Sequence, residues 1–151
     1  METNHYTTEL IDPDKRLDFM EEVLPNIDTY LYFESILFKM ADKMLEGYHG
    51  GYWDIYDVTT PGGKTFFYAL STQADKVRFT GPNGSDVSVD PFAAGVGLSV
   101  MALNHTVWLT YEKKQKAAQL ADLHYNRLRD FMFTSSKIGD EDLQGLIAFL
   151  D

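Results

Sequence analysis

The chain has 151 residues, 23 acidic and 13 basic side chains, and a formal net charge of -10. That is the length of one ordinary domain, residues 1–151, and 44% hydrophobic with 14% aromatic residues supplies a core. The acidic balance excludes a general nucleic-acid binder, which needs a basic face for phosphate, and adhesion to an anionic membrane. The absence of cysteine excludes disulfides, a Cys-ligated zinc site, iron–sulfur clusters and a thiol nucleophile, and is compatible with a reducing cytoplasm.

The first residues, Met1-Glu2-Thr3-Asn4-His5, have no basic or apolar run, so no signal peptide is expected. Residues 6–11 are β-prone. Asp12-Pro13 is a helix-start signal, with Asp at the N-cap and Pro at the first helical position, and a short helix to about residue 23 is expected before Pro25 breaks it. Between 27 and 46 the apolar positions 27, 30, 33, 37, 40/41 and 44 recur at steps of three or four, which predicts an amphipathic helix. Gly47 is placed to cap its C-terminus.

Aromatic and β-branched residues over 50–58 predict a strand, Thr60-Pro61-Gly62-Gly63 a turn, and 65–70 the returning strand. Residues 76–80 and 86–89 alternate with period two around Pro82-Asn83-Gly84, where Asn-Gly can supply two positive φ angles. Asp90-Pro91 repeats the helix-start signal. The uncharged run 91–111 is long enough to span a membrane, but its polar and glycine interruptions favour a central helix buried against the sheet. A second amphipathic helix is predicted from Lys113 to about residue 133, and a last short one from about 141 to 150, with Glu141 and Asp142 complementing its dipole. The expected fold is α+β: a small antiparallel meander of three to four strands packed against four to five helices.

Residues 1–60 hold 13 acids and 4 bases, a net of -9, and residues 61–151 hold 10 acids and 9 bases, a net of -1. The acidic first part is a solvated surface, a docking face for a basic partner, or a DNA mimic. Mimicry of duplex needs about one charge per ~1.7 Å, and Lys15, Arg16, Lys39 and Lys43 dilute the excess here.

The residue pattern carries no recognisable catalytic chemistry. His5, His49, His105 and His124 form no metal-ligand spacing. His105 and His124 read as satisfied core histidines. His49, near Glu46 and Asp54, is the one site-like histidine, and those three residues are the enzyme alternative. No nucleophile elbow or phosphate-binding loop is present, and Gly50-Gly51 leads into a strand rather than a helix. No catalytic residue, metal or cofactor is assigned. The cluster Tyr48, Tyr52, Trp53, Tyr56, Phe66, Phe67 and Tyr68 is mostly core material. Tyr52, Asp54 and Tyr56 share one strand face and Trp53, Ile55 and Asp57 the other, so a tyrosine-rich outer face flanked by acids would suit protein recognition.

Tyr48-x-Gly50-Gly51-Tyr52-Trp53-x-x-Tyr56, followed by an aromatic hairpin, resembles the signature of the ArdB/KlcA antirestriction proteins. Supporting segments follow the same order: Arg16-Leu17-x-Phe19, Ala93-Ala94-Gly95, Ala102-Leu103-Asn104 and Tyr125-x-x-Leu128-Arg129-x-Phe131. The resemblance covers residues 9–151. The chain departs from it at Thr59-Thr60-Pro61-Gly62-Gly63-Lys64, a longer turn, and at Phe67-Tyr68-Ala69-Leu70, which lacks a proline. The resemblance implies a non-enzymatic cytoplasmic protein, carried by plasmids and other mobile DNA, that protects incoming DNA from type I restriction-modification. It implies a protein partner, the restriction complex or a host factor controlling it, with no direct DNA binding and no membrane. The expected contact surface is Tyr48, Gly50, Gly51, Tyr52, Trp53, Asp54 and Tyr56. An acidic DNA mimic or DNA-binding antagonist is the alternative.

Overall fold

The computed structural model describes residues 6–112 and 115–150. The expectations about a leader peptide, His5 and a helix start at Lys113 lie outside the described residues. The α+β class is borne out. In chain order the elements are β1 (Thr7–Leu10), a 3₁₀ turn (Pro13–Lys15), α1 (Arg16–Val23), α2 (Ile27–Met44), β2 (Trp53–Thr60), β3 (Gly63–Leu70), β4 (Val77–Thr80), β5 (Asp86–Val89), α3 (Pro91–Thr110), α4 (Gln115–Thr134) and α5 (Asp140–Leu150). The strands divide into two antiparallel sheets: β1-β2-β3, with the β-prone residues 7–10 as one edge, and the separate hairpin β4-β5.

The uncharged helix α3 organises the domain. The Asp90 carboxylate accepts from the amides of Phe92 and Ala93 and starts the helix. From Ala93 to Val100 it is buried all round, between α2, α4, α5 and β3, while His105, Trp108 and Leu109 near its C-terminal end are exposed. Among the described residues it is the one helix long and apolar enough to cross a membrane, and most of it is enclosed by the protein. It lies directly along the outer edge of β3. Ser99 Oγ accepts from the Tyr68 amide at 3.0 Å and donates to the Tyr68 carbonyl at 3.3 Å. Gly95 permits this approach, since a Cβ there would stand 2.5 Å from the Tyr68 carbonyl oxygen.

Both faces of the main sheet are covered, so β3 is buried at every residue from 65 to 69. On one face Phe66 and Tyr68 meet the ring of Phe33 from α2, each at 5.2 Å. On the other, Phe67 meets Phe92 of α3 at 5.0 Å and Phe131 of α4 at 6.1 Å. Each such ring contributes about 1.5–3 kcal/mol by leaving water. The β4-β5 hairpin packs on α5 through Phe79 and Phe149, 4.4 Å apart. Arg78 ties this hairpin together by a bidentate pair with Asp86 and reaches Glu46 beyond α2.

Three local expectations are corrected. Asp12 makes no side-chain cap, and Pro13 opens a 3₁₀ turn before α1 begins at Arg16. Gly47 does not cap α2: the helix ends at Met44 because Leu45 is drawn into a β-bridge with Phe79 and the Glu46 amide donates to Arg78 O. The positive φ of Gly47 serves the turn beyond. At Asn83-Gly84 only Gly84 has positive φ, because Asn83 instead accepts from the Ser85 amide and donates to Ala148 O of α5.

Candidate functional site

Gly50 adopts φ +89° and turns the chain after Tyr48 into β2. Trp53, the first residue of β2, is buried at 4% exposure. Its indole Nε1 donates to the Tyr48 hydroxyl at 3.2 Å, and its ring packs 5.9 Å from both Tyr48 and Phe38 of α2. The indole therefore belongs to the core. The signature is fastened from the other side by Arg16, at the start of α1. Its guanidinium donates to the Trp53 carbonyl and lies 4.5 Å over the Tyr52 ring. Two segments that the sequence resemblance links only by order thus meet in space.

Behind this contact stands a phenol–carboxylate pair. Tyr68 Oη donates to Glu34 Oε2 at 2.6 Å. Burial, and then the Glu34 carboxylate, push the Tyr68 phenol well above its ordinary range. Tyr30 is raised for the same two reasons, with burial the larger. Both phenols stay protonated and serve as donors.

The expected tyrosine-rich outer face is corrected in one respect. Tyr56 does not stand on an open face: its ring stacks on Phe67 at 4.9 Å and meets Phe92 edge-on at 5.6 Å, because α3 and α4 cover that side of the sheet. Burial, followed by the charges of Asp54 and Asp90, raises its phenol. Tyr52 precedes the strand and stays 49% exposed. His49, Gly50 and Gly51 are exposed; Tyr48, Asp54 and Tyr56 are half-buried. Asp14, Asp18, Glu21 and Glu22 stand exposed on the same segment as Arg16. Glu22 lies toward Lys64 at the far end of the β2-β3 hairpin, and the accessible part of the signature is His49, Gly50, Gly51 and the Tyr52 ring.

The enzyme alternative gains no geometric support. Glu46 is turned to Arg78 in an exposed ion pair. Five clefts that indent the surface are lined by other residues than Glu46, His49 and Asp54. Among the described residues no group of three His, Asp or Glu side chains is placed to hold a metal ion.

His124 is the satisfied core histidine expected. Nε2 lies 2.7 Å from Val23 O and Nδ1 3.0 Å from Thr65 Oγ1. The carbonyl can only accept, so the proton sits on Nε2 and Nδ1 accepts from the threonine hydroxyl. Burial depresses this imidazole to about 4. His105 overturns its expectation: it is exposed and lines a cleft between α3, α4 and α5. Its neighbours Ala102, Leu103 and Thr106 face the core, and helical spacing turns position 105 outward. The altered turn at Pro61-Gly62 is closed by the Thr60 hydroxyl and held to α4 by Arg127, which donates to Lys64 O at 2.9 Å. Arg16 as the fastener, and Glu34, carry no sequence motif of their own; the Arg16-Leu17-x-Phe19 segment was the signal available.

No protein-family model matches the chain. It is 28% identical over 123 residues to the uncharacterized protein YafX of Escherichia coli (strain K12), covering 80% of this chain and 75% of that one. It is 29% identical over 98 residues to a protein of the same strain named "Putative antirestriction protein YubI", covering 64% of each. A solved structure superposes on 99% of both chains with a TM-score of 0.77 at 22% identity. It is described as that of the KlcA and ArdB proteins, with a novel fold and antirestriction activity against type I DNA restriction systems in vivo but not in vitro. The resemblance seen in the sequence is borne out: the chain has the KlcA/ArdB fold over its full length.

Proposed function

We propose that this is an antirestriction protein of the ArdB/KlcA type, which protects incoming mobile DNA from type I restriction-modification by protein contact and without catalysis. The full-length match in fold and the similarity to YubI support the activity. The observation that carries the contact surface is Tyr52, half exposed and held in place by Arg16. An aromatic ring held in one orientation loses little entropy on binding, which is the property of an interface anchor. Basic residues interleave with the acids, which favours a protein partner over imitation of duplex DNA. Activity of KlcA and ArdB in vivo but not in vitro fits a requirement for a further cellular component. The partner is accordingly the restriction complex in its cellular state or a host factor controlling it, and the setting is cytoplasmic.

The test is plasmid restriction in cells carrying a type I system, with Tyr52→Ala, the double variant Tyr52→Ala/Asp54→Asn, and Tyr111→Ala as an exposed aromatic control elsewhere. Tyr52→Ala should reduce protection about tenfold while losing at most about 1 kcal/mol of stability, and the control should protect fully. Full protection by the folded double variant would refute this surface.

A further inference from the structure

The cleft of about 330 Å³ between α3, α4 and α5 combines four polar side chains with an apolar floor. Asn104 and His105 come from α3, Tyr125 and Arg129 from α4. Among the described residues none of these four has a hydrogen-bond partner, and the one contact of the Arg129 guanidinium is the Phe133 ring, 5.1 Å away. Among the described residues Arg16 and Arg127 each donate to a backbone carbonyl and Arg78 pairs with carboxylates, whereas Arg129 has neither kind of partner, and no described acid lines the cleft. The nearest acid in sequence, Asp130, is engaged by the hydroxyls of Tyr6 and Thr134. Met101, Ile147 and Leu150 supply hydrocarbon beneath the polar groups.

We propose that this cleft binds a carboxylate carried on an apolar body. A pocket with a few convergent donors over hydrocarbon is the usual form of a small-ligand site. Arg129 presents a planar fork that matches a carboxylate, and Asn104 and Tyr125 add neutral donors. One cation balances one negative charge, so a monoanion fits better than a phosphate dianion. The floor requires an aliphatic group beside that charge. Both a small free carboxylic acid and the C-terminal residue of a peptide meet these requirements. The site is separate from the Tyr52 surface and does not depend on the antirestriction reading.

NMR titration of the full chain tests it, with N-acetyl-L-leucine, N-acetyl-L-leucinamide, inorganic phosphate and N-acetyl-Ala-Ala-Leu as probes. N-acetyl-L-leucine should shift the Asn104 and His105 signals saturably, with Kd of about 1 mM. Arg129→Gln should weaken it about tenfold, and Tyr125→Phe by a smaller factor, with the spectrum otherwise native. Tyr52→Ala should bind like the parent. Tighter binding of the peptide points to a chain terminus as the source and weaker binding to a free acid; either upholds the site. Equal binding of the amide or of phosphate, unchanged affinity in Arg129→Gln, or no shift at about 10 mM would overturn it.

Discussion

The Arg16 guanidinium lies 4.5 Å over the centre of the Tyr52 ring while it donates to the carbonyl of the next residue, Trp53. One side chain on α1 thereby fixes both the exposed and the buried aromatic of the signature. Replacing Arg16 with Ala removes a charged hydrogen bond and a cation–π contact, at a cost of about 2 kcal/mol. Lys keeps the charge but not the planar fork, so Arg16→Lys should recover less than half of that loss. Urea unfolding checks both, followed by Trp53 fluorescence in a Trp108→Phe background.

Trp53 and Tyr52 should separate stability from recognition. Trp53→Ala empties a core site and should cost about 3–5 kcal/mol, so its loss of activity would report unfolding. Tyr52→Ala should cost at most about 1 kcal/mol. Thermal melts beside the restriction assay distinguish the two effects.

Gly95→Ala should destabilise by about 3 kcal/mol or prevent folding, because the added methyl meets β3 backbone, which cannot swing aside. Gly62→Ala meets nothing closer than 3.7 Å and should stay within about 0.5 kcal/mol of the parent. Chemical denaturation of the two variants is the check.

His124 predicts an acid-side loss of stability. Burial holds it near 4, below its ordinary 6.5, so between those pH values the unfolded chain binds the extra proton. Stability from this group is complete above pH ~6.5 and falls as pH drops toward 4, by up to about 3 kcal/mol. Urea unfolding at pH 7 and pH 5 should show the fall, and His124→Gln should be less stable at pH 7 with a shallower slope.

Asp90→Ala should cost about 1 kcal/mol through two lost cap bonds, and Asp12→Ala only a few tenths, since that side chain caps nothing. Paired thermal melts measure the difference. The two Asp-Pro sites look alike in sequence, and the context decides. Asp90 feeds a 20-residue buried helix, Asp12 a three-residue 3₁₀ turn.

The same limit explains what else was legible. The 3.6-residue period of 27–44 marks one side of α2 for burial, and the uncharged run of α3 marks that helix as a core helix, because burial is written in the choice of side chains. Which strand edge a helix covers is written nowhere locally, so the Ser99–Tyr68 contact and the covering of Tyr56 could not be foreseen. His105 was misplaced because a helix of almost uniform apolarity has no strong period to show which few positions face out. At the candidate site, the motif identified the segment. Exposure then depended on tertiary partners: Trp53 is enclosed by Phe38 and Tyr48, while Tyr52 stays open under Arg16.

Ser99 also limits what the sheet can join. By taking both the amide and the carbonyl of Tyr68, its hydroxyl occupies hydrogen-bonding positions on β3 that a further strand would need. Recruitment of a foreign strand is then directed to β1, which is four residues long and carries the exposed Glu9. A short, charged edge resists such pairing, so α3 guards one margin of the sheet against self-association and composition guards the other.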